Sequence, residues 1–273
     1  MRKPMYLADY HTHSRVSPDG HVSMLEMAAA AAAAGLDEIC FTDHFEPVEP
    51  RTTILRKTFD WSAQTAEYAD AVAKWDGAVK LRLGLELGDQ PVDPILVEQL
   101  LRGMPEMDFI IGSVHMLSPK FDSQDLAWIQ EPDEKTCYAE LEDYLETMLQ
   151  MARWGKFTVL GHMTLPLRYM NDKRGFGVSM DGFGAEIETI LRTLIENGCG
   201  IEVNTNRGNQ PLPGEKWLKL YHSLGGELIT LGSDAHRPED VGKGIRDGQA
   251  LLRDCGFTRF CTFEKQRPIW HAL

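Results

Sequence analysis

Seven short apolar runs alternate with helical patterns along this chain, and each run ends in polar or ionisable residues. A strand followed by a helix, repeated seven times, predicts parallel strands joined by right-handed crossovers. In a doubly wound open sheet, strand ends gather only at a switch point, whereas a closed barrel brings all of them to one rim. We therefore expect an α/β fold, a (β/α)7 barrel one unit short of the usual eight, with its site at the C-terminal face.

The predicted elements have clear boundaries. The first helix has Ser23 at its start, Glu26 three residues later and Gly35 at its end. A long helix over 134–154 has apolar residues on one face. Loops are predicted over 116–132 and 163–178, a last helix over 238–253 and a strand-like tail near 259–263. The predicted strands cover 5–8, 37–41, 79–85, 109–112, 157–160, 201–203 and 228–231.

The chain has no Ser/Gly-rich linker, so we expect one barrel domain over residues 1–273. Residues 1–4 run straight into strand-like sequence without a signal-peptide core, and no apolar run approaches the ~20 residues that cross a bilayer. The five cysteines include no close C-x-x-C pair, so neither a disulfide framework nor a thiolate zinc site is indicated. These features predict a cytoplasmic protein that does not contact membranes.

The net charge bears on possible partners. It is −13, from 28 Lys and Arg against 41 Asp and Glu. Because nucleic-acid binding relies on a basic face, this balance argues against a nucleic-acid partner, although bound divalent cations would offset part of it.

Most of the histidines fall at the predicted strand ends. His11 and His13 are two apart in an extended stretch, so their rings project from the same face. Seven of the nine histidines belong to this group, and His222 and His271 are interpreted as surface or packing residues. Nine ligands are too many for one zinc, but they suit two or three ions with Glu86 bridging a pair. The candidate ligands are His11, His13, His21, His44, Glu86, His115, His162, Asp234 and His236.

The order of these motifs resembles the PHP (polymerase and histidinol phosphatase) family. The motifs are Asp9-x-His11-x-His13, Thr42-Asp43-His44, Glu86, His115, His162 and Ser233-Asp234-x-His236. Within the family, the Asp-Tyr-His-Thr-His start and the chain length most resemble the histidinol-phosphate phosphatases. One departure is Thr164, where these phosphatases often carry Asp. The resemblance implies a distorted (β/α)7 barrel and a trinuclear metal centre, in agreement with the strand count.

The resemblance also implies roles for the ligands. It assigns them to three ions, the first held by His11, His13, Glu86 and Asp234, the second by Glu86, His115 and His162, and the third by His21, His44 and His236. Zinc, iron or manganese would suit this mixed ligand set. Asp9 and Asp43 are expected to orient histidines rather than bind metal.

The mechanism expected from such a centre is phosphate-ester hydrolysis. Two ions about 4 Å apart would supply a bridging hydroxide that attacks phosphorus, with Glu86 as the bridging carboxylate. Arg207, and next Arg168, are the candidates for holding the phosphate. Asp43 or a metal-bound water would protonate the leaving alkoxide.

The expected substrate is a small phosphate ester, L-histidinol phosphate, whose cationic amine calls for an acid such as Glu46 or Glu49. The alternative within the family is a phosphoesterase for nucleotides or short oligonucleotides, although no aromatic and basic stripe for stacked bases is present. An amidohydrolase-like activity and a non-catalytic metal-binding module are the more distant alternatives.

Overall fold

The computed structural model describes residues 5–49, 52–129 and 133–273, and its centre is a barrel of seven parallel strands. The strands of the chain are β1 (Ala8–Thr12), β2 (Glu38–Phe41), β3 (His44–Phe45), β4 (Lys80–Gly88), β5 (Phe109–Ser113), β6 (Val159–Leu160), β7 (Gly200–Asn204), β8 (Ile229–Gly232), β9 (Arg259–Glu264) and β10 (Arg267–Ala272). The barrel order is β1-β2-β4-β5-β6-β7-β8, and the short β3 pairs with the end of β4. The predicted seven-stranded α/β barrel is therefore confirmed.

The helices pack around the barrel and follow the predicted signals at their ends. They are α1 (Met24–Ala33), α2 (Trp61–Lys74), α3 (Pro94–Leu100), α4 (Glu134–Trp154), α5 (Leu165–Leu167), α6 (Gly184–Glu196), α7 (Glu215–Ser223) and α8 (Ile245–Asp254). Ser23 and Glu26 form a capping box at the start of α1. Gly155 ends α4 with a positive φ of 61°, which glycine adopts readily. Within the described ranges, none of these helices has the length and apolarity needed to cross a bilayer.

The barrel closes where the first strand meets the last. The backbone N–H of His13 donates to the carbonyl of Ala235 at 2.8 Å, and that of Asp234 donates to the carbonyl of His11 at 2.9 Å. A parallel bridge also joins Thr12 to Ala235. The bonds that close the ring therefore involve the same residues that carry candidate metal ligands.

The N-terminal end of the barrel is covered by the antiparallel hairpin of β9 and β10. Tyr10 donates its hydroxyl proton toward Glu38 and the carbonyl of Phe263, while the Phe263 N–H donates to the Tyr10 hydroxyl at 2.8 Å. Arg82 bridges Glu38 and Glu264, at 2.9 and 3.1 Å. These bonds tie the C-terminal hairpin to the barrel interior.

Several predicted boundaries were wrong. The segment 163–178, predicted as a loop, contains α5 and a π-helical turn over Arg168–Lys173. The last helix does not run unbroken from 238, because Gly242 and Gly244 adopt positive φ angles and α8 begins only at Ile245. The tail contains a second strand, β10, that was not predicted. Residues 1–4, Pro50 and Arg51, and the end of the loop predicted over 116–132 lie outside the described residues.

Candidate metal centre

The C-terminal ends of the strands surround an open cavity of about 1770 Å³. Because parallel strands all end at the same rim, side chains far apart in sequence meet there. Seven of the candidate ligands line this cavity, namely His21, His44, Glu86, His115, His162, Asp234 and His236. The structure thus brings together eight of the nine predicted ligands. His222 and His271 lie elsewhere, against Phe257 and Tyr6.

Glu86 is the centre of this cluster. It lies near the end of β4 and is only 1% exposed. The Ser113 hydroxyl donates to its Oε1 at 2.7 Å. The two carboxylate oxygens lie within 3.4 Å of a ring nitrogen of five histidines, His11, His13, His44, His115 and His162. A carboxylate among so many imidazole nitrogens has the arrangement expected of a bridging ligand.

Asp234 follows β8 and faces the histidine pair of β1. Its Oδ1 lies 3.8 Å from Nε2 of both His11 and His13. Its Oδ2 accepts two hydrogen bonds from the Arg168 guanidinium, both at 2.9 Å. Arg168 therefore directs the other carboxylate oxygen toward the histidines, in addition to lining the cavity.

The ligands predicted for the third ion were His21, His44 and His236, and the structure places an additional acid beside two of them. His44 and His236 lie near each other, with ring centroids 6.0 Å apart. The carboxylate between them is Asp19, whose oxygens lie 3.7 Å from His44 Nε2 and 3.0 Å from His236 Nε2. His21 is exposed at the cavity wall. In the described residues, the group of three close donors that contains His44 and His236 is completed by His13, and neither His21 nor Asp19 belongs to such a group. Sequence reasoning missed Asp19, although it lies in the same turn-rich loop.

The donor atoms fit divalent metal ions. The buried atoms without a hydrogen-bond partner in the described part of the chain include four in this cluster, namely Nε2 of His11, Nε2 of His13, Nδ1 of His44 and Oε2 of Glu86. Leaving such atoms unpaired away from water is costly unless a ligand satisfies them. They belong to groups of three donors that lie within 4.8 Å of one another. Imidazole and carboxylate together suit zinc, iron or manganese.

The pKa values of the cluster reflect close contact between acids and imidazoles. Burial opposes protonation of His11, but Glu202 and Glu86 raise its pKa well above the usual value. The pKa values of His44 and His115 are raised in the same way, against burial, by Glu86 and Glu46. Burial also works against the charged form of Glu86, yet the surrounding imidazoles hold its pKa well below the usual value. Burial lowers the pKa values of His13 and His162 instead. A cation bound at His11, His44 or His115 would therefore compete with protons, since a metal-bound imidazole is neutral.

Asp9 and Asp43 accept hydrogen bonds from backbone N–H groups and serine hydroxyls rather than from the imidazole rings. Asp9 accepts hydrogen bonds from the N–H groups of Ser233 and Gly242, both at 2.8 Å, and so fixes the segment around Asp234. Asp43 accepts a bond from the Ser17 hydroxyl at 2.7 Å, and Ser17 Oγ lies 3.1 Å from His13 Nδ1. The expectation that these acids orient histidines thus takes an indirect form.

The expectation that Asp43 protonates a leaving group is not supported by its position. Its carboxylate accepts bonds from both the backbone N–H and the hydroxyl of Ser14, at 2.7 and 2.8 Å. It is 1% exposed and is not among the residues that line the cavity. A bound ester could not reach it without a rearrangement of the loop.

Two acids in contact with the histidines were not assigned this role from sequence. Glu202 on β7 lies 2.7 Å from His11 Nδ1. Glu46 lies 2.8 Å from His115 Nδ1, so it orients a ring instead of offering a free acid to a substrate amine. Glu202 could have been found, because a glutamate within an apolar strand is the same signal that identified Glu86.

The wall of the cavity carries both basic and acidic side chains. Arg168, Lys173 and Arg207 line it from the segments after β6 and β7. Asp89, Asp125 and the exposed Glu49 line it from the segments after β3, β4 and β5. Burial raises the pKa of Asp89 to about 7, and nearby Glu46 adds to the shift. The cavity therefore offers partners to both an anionic and a cationic group of a small molecule.

Comparison with known proteins agrees with this geometry. The PHP domain model matches residues 9–206. A histidinol-phosphatase of Lactococcus lactis is 27% identical over 266 residues, covering 93% of each chain. A Thermotoga maritima protein named "Probable histidinol-phosphatase" is 27% identical over 255 residues, covering 92% of this chain and 93% of the relative. The crystal structure of the L. lactis histidinol phosphate phosphatase, complexed with zinc, L-histidinol and phosphate, superposes with a TM-score of 0.79 at 24% identity, covering 97% of this chain and 99% of the other.

Proposed function

The chain belongs to the PHP domain family, and on that premise we propose that it is a metal-dependent phosphomonoesterase that hydrolyses L-histidinol phosphate to L-histidinol and phosphate. The observation that carries the proposal is the cluster of unpaired imidazole and carboxylate atoms around Glu86. This cluster lies at a cavity that Arg168, Lys173 and Arg207 also line. The relatives named histidinol-phosphatase, which match over more than nine-tenths of their length, support this substrate.

We propose that the centre holds two or three divalent ions, with zinc the first choice because the L. lactis structure contains it. The first ion would be held by His11, His13, Glu86 and Asp234, the second by Glu86, His115 and His162, and the third by His44, His236 and Asp19, with His21 at its edge. Such ions would lower the pKa of a coordinated water and neutralise the phosphate oxygens. Iron and manganese suit the same donors.

The protein groups around the proposed ions would bind and orient the ester. Arg207 and Lys173 present positive charge to the cavity, and Arg168 adds its guanidinium while it holds Asp234. Arginine forms paired hydrogen bonds with phosphate oxygens, so Arg207 is the preferred phosphate ligand. Glu46 is occupied by His115, so the substrate amine would instead meet Asp125 or Glu49, which line the cavity.

The test is a panel of phosphate esters assayed after reconstitution with zinc, manganese or iron. We expect kcat/KM for L-histidinol phosphate to exceed that for adenosine monophosphate and for glycerol phosphate by about 100-fold or more, since recognition of a buried charge contributes several kcal/mol. The matched control is the same imidazole alcohol phosphate without the amine, which should bind more weakly. Preference for a nucleotide, or phosphate release that survives exhaustive chelation, would overturn the proposal.

A further inference from the structure

Glu202 is a buried acid that contacts two of the candidate ligands at once. It lies on β7, inside the barrel, and is 1% exposed. Its Oε1 lies 2.7 Å from His11 Nδ1, and its Oε2 accepts the backbone N–H of His162 at 2.9 Å. His11 belongs to the group proposed for the first ion and His162 to the group proposed for the second. One side chain thus connects both groups.

Space for this carboxylate is provided by a glycine on the neighbouring strand β8. A Cβ at Gly232, the last residue of β8, would overlap both Glu202 Oε1 and His11 Cβ. The absence of a side chain at this position lets Glu202 reach across from β7 to β1.

The contact with His11 determines which ring nitrogen is available. A carboxylate at 2.7 Å from Nδ1 accepts a proton from that nitrogen, which leaves the lone pair of the neutral ring on Nε2. His11 Nε2 lies 3.2 Å from Glu86 Oε2 and has no hydrogen-bond partner among the described residues. A carboxylate behind a histidine in this way fixes its tautomer and its orientation toward a metal.

We infer that Glu202 is a positioning residue for both proposed ion sites, holding His11 in the Nδ1–H tautomer and fixing the end of β6 from which His162 projects. This inference rests on the proposed metal-dependent function. A glutamine could satisfy only one of the two donors, because its NH₂ group would face the other N–H. Residues that orient metal ligands in this way typically contribute 10- to 100-fold to metal affinity.

The experiment compares Glu202→Gln with Glu38→Gln, since Glu38 is equally buried but lies at the other end of the barrel. Zinc affinity is measured by competition with a chromogenic chelator, and folding of the metal-free proteins by circular dichroism. We expect Glu202→Gln to weaken zinc binding about 10- to 100-fold and Glu38→Gln to leave it within about twofold. Unchanged affinity in a folded Glu202→Gln protein would overturn the inference.

A second measurement needs no variant. In the zinc-loaded wild-type protein with 15N-labelled histidine, NMR should show His11 protonated at Nδ1 and metal-bound at Nε2. Metal on Nδ1 would overturn the inference even if Glu202→Gln fails to fold. If the wild-type protein binds no metal at all, the proposed function fails instead, so the two failures are distinguishable.

Discussion

The two ends of the barrel each bury a glutamate, and the two carboxylates differ in whether their oxygens are hydrogen-bonded. Glu38 on β2 and Glu86 on β4 are both 1% exposed. At the N-terminal end, Glu38 accepts hydrogen bonds from two tyrosines and Arg82, with Tyr6 at 2.6 Å and the arginine at 2.9 Å. At the C-terminal mouth, Glu86 Oε2 faces imidazole nitrogens and has no hydrogen-bond partner in the described part of the chain.

This contrast shows how the surroundings of a buried acid indicate its role. A buried acid whose neighbours all donate hydrogen bonds to it has its polar atoms paired, and it stabilises the fold. An acid that has an unpaired oxygen and is surrounded by imidazole nitrogens gains most from a cation. The hairpin of β9 and β10 also covers the satisfied end, whereas the unsatisfied end opens into the cavity. Exchanging either glutamate for glutamine tests this interpretation.

The largest expected effect is the loss of activity and metal on replacing Glu86 at the C-terminal mouth of the barrel. Glu86→Gln removes the charge shared by the proposed ions, and we expect kcat/KM for the phosphate ester to fall about a thousandfold or more, since bound ions contribute several kcal/mol to such reactions. Metal content, measured by plasma mass spectrometry, should fall with it. A Glu86→Gln protein that keeps both its metal and its activity would remove the distinction between the two ends.

A smaller effect, on stability instead of activity, is expected from replacing Glu38 at the N-terminal end that the hairpin covers. Glu38→Gln leaves Arg82 and two tyrosines without their charged acceptor, which should lower the free energy of unfolding by about 3 kcal/mol. Urea denaturation measures this loss, and metal content should stay unchanged. If Glu38→Gln instead loses metal while its stability is preserved, the assignment of roles to the two ends is wrong.

A third prediction concerns the dependence of metal affinity on pH at the mouth of the barrel. The raised pKa values of His11, His44 and His115 mean that metal must displace protons, so affinity should fall as the pH drops through those values, by up to about tenfold per pH unit for each proton. Calorimetry in buffers of different ionisation enthalpy should detect proton release near neutral pH. Metal uptake without proton release would contradict this prediction.

The same protonation affects the metal-free protein. Groups with raised pKa stabilise the fold fully below the unfolded-state histidine value of about 6.5, and this contribution is lost as the pH rises through the raised values. We therefore expect the metal-free protein to lose this part of its stability toward alkaline pH, whereas saturation with metal should reverse the trend. Thermal unfolding of both forms across pH measures the difference.

The strand ends could be predicted from sequence because each combines an apolar run with an ionisable residue. Parallel strands then dictate that such ends meet, so the cluster around Glu86 followed without coordinates. Asp19 could not be placed in this way, since it lies in a loop whose path depends on the bonds from Ser14 and Ser17 to Asp43. The π-helical turn over Arg168–Lys173 had no sequence signal, because its polar residues and the preceding Pro166 also suit a loop.

Other differences between the sequence-based predictions and the structure arise because a residue contacts partners that are distant in the sequence. Asp43 precedes His44 directly, and only the path of the 14–17 segment shows that its oxygens are already occupied. Glu46 was interpreted as a substrate contact because it follows His44, but its Oε1 lies 2.8 Å from Nδ1 of His115, which follows β5. The hairpin partner β10 was missed because its alternation is weak and its residues are largely exposed.

The closure between β1 and β8 has a consequence for biosynthesis. Asp234 and His236 stand beside His11 and His13, although they lie on the opposite side of most of the barrel sequence. A chain synthesised only as far as β7 therefore lacks two of the donors of the centre. Metal binding by the complete donor set would then follow synthesis of β8, and a product terminated before Asp234 would lack a competent centre.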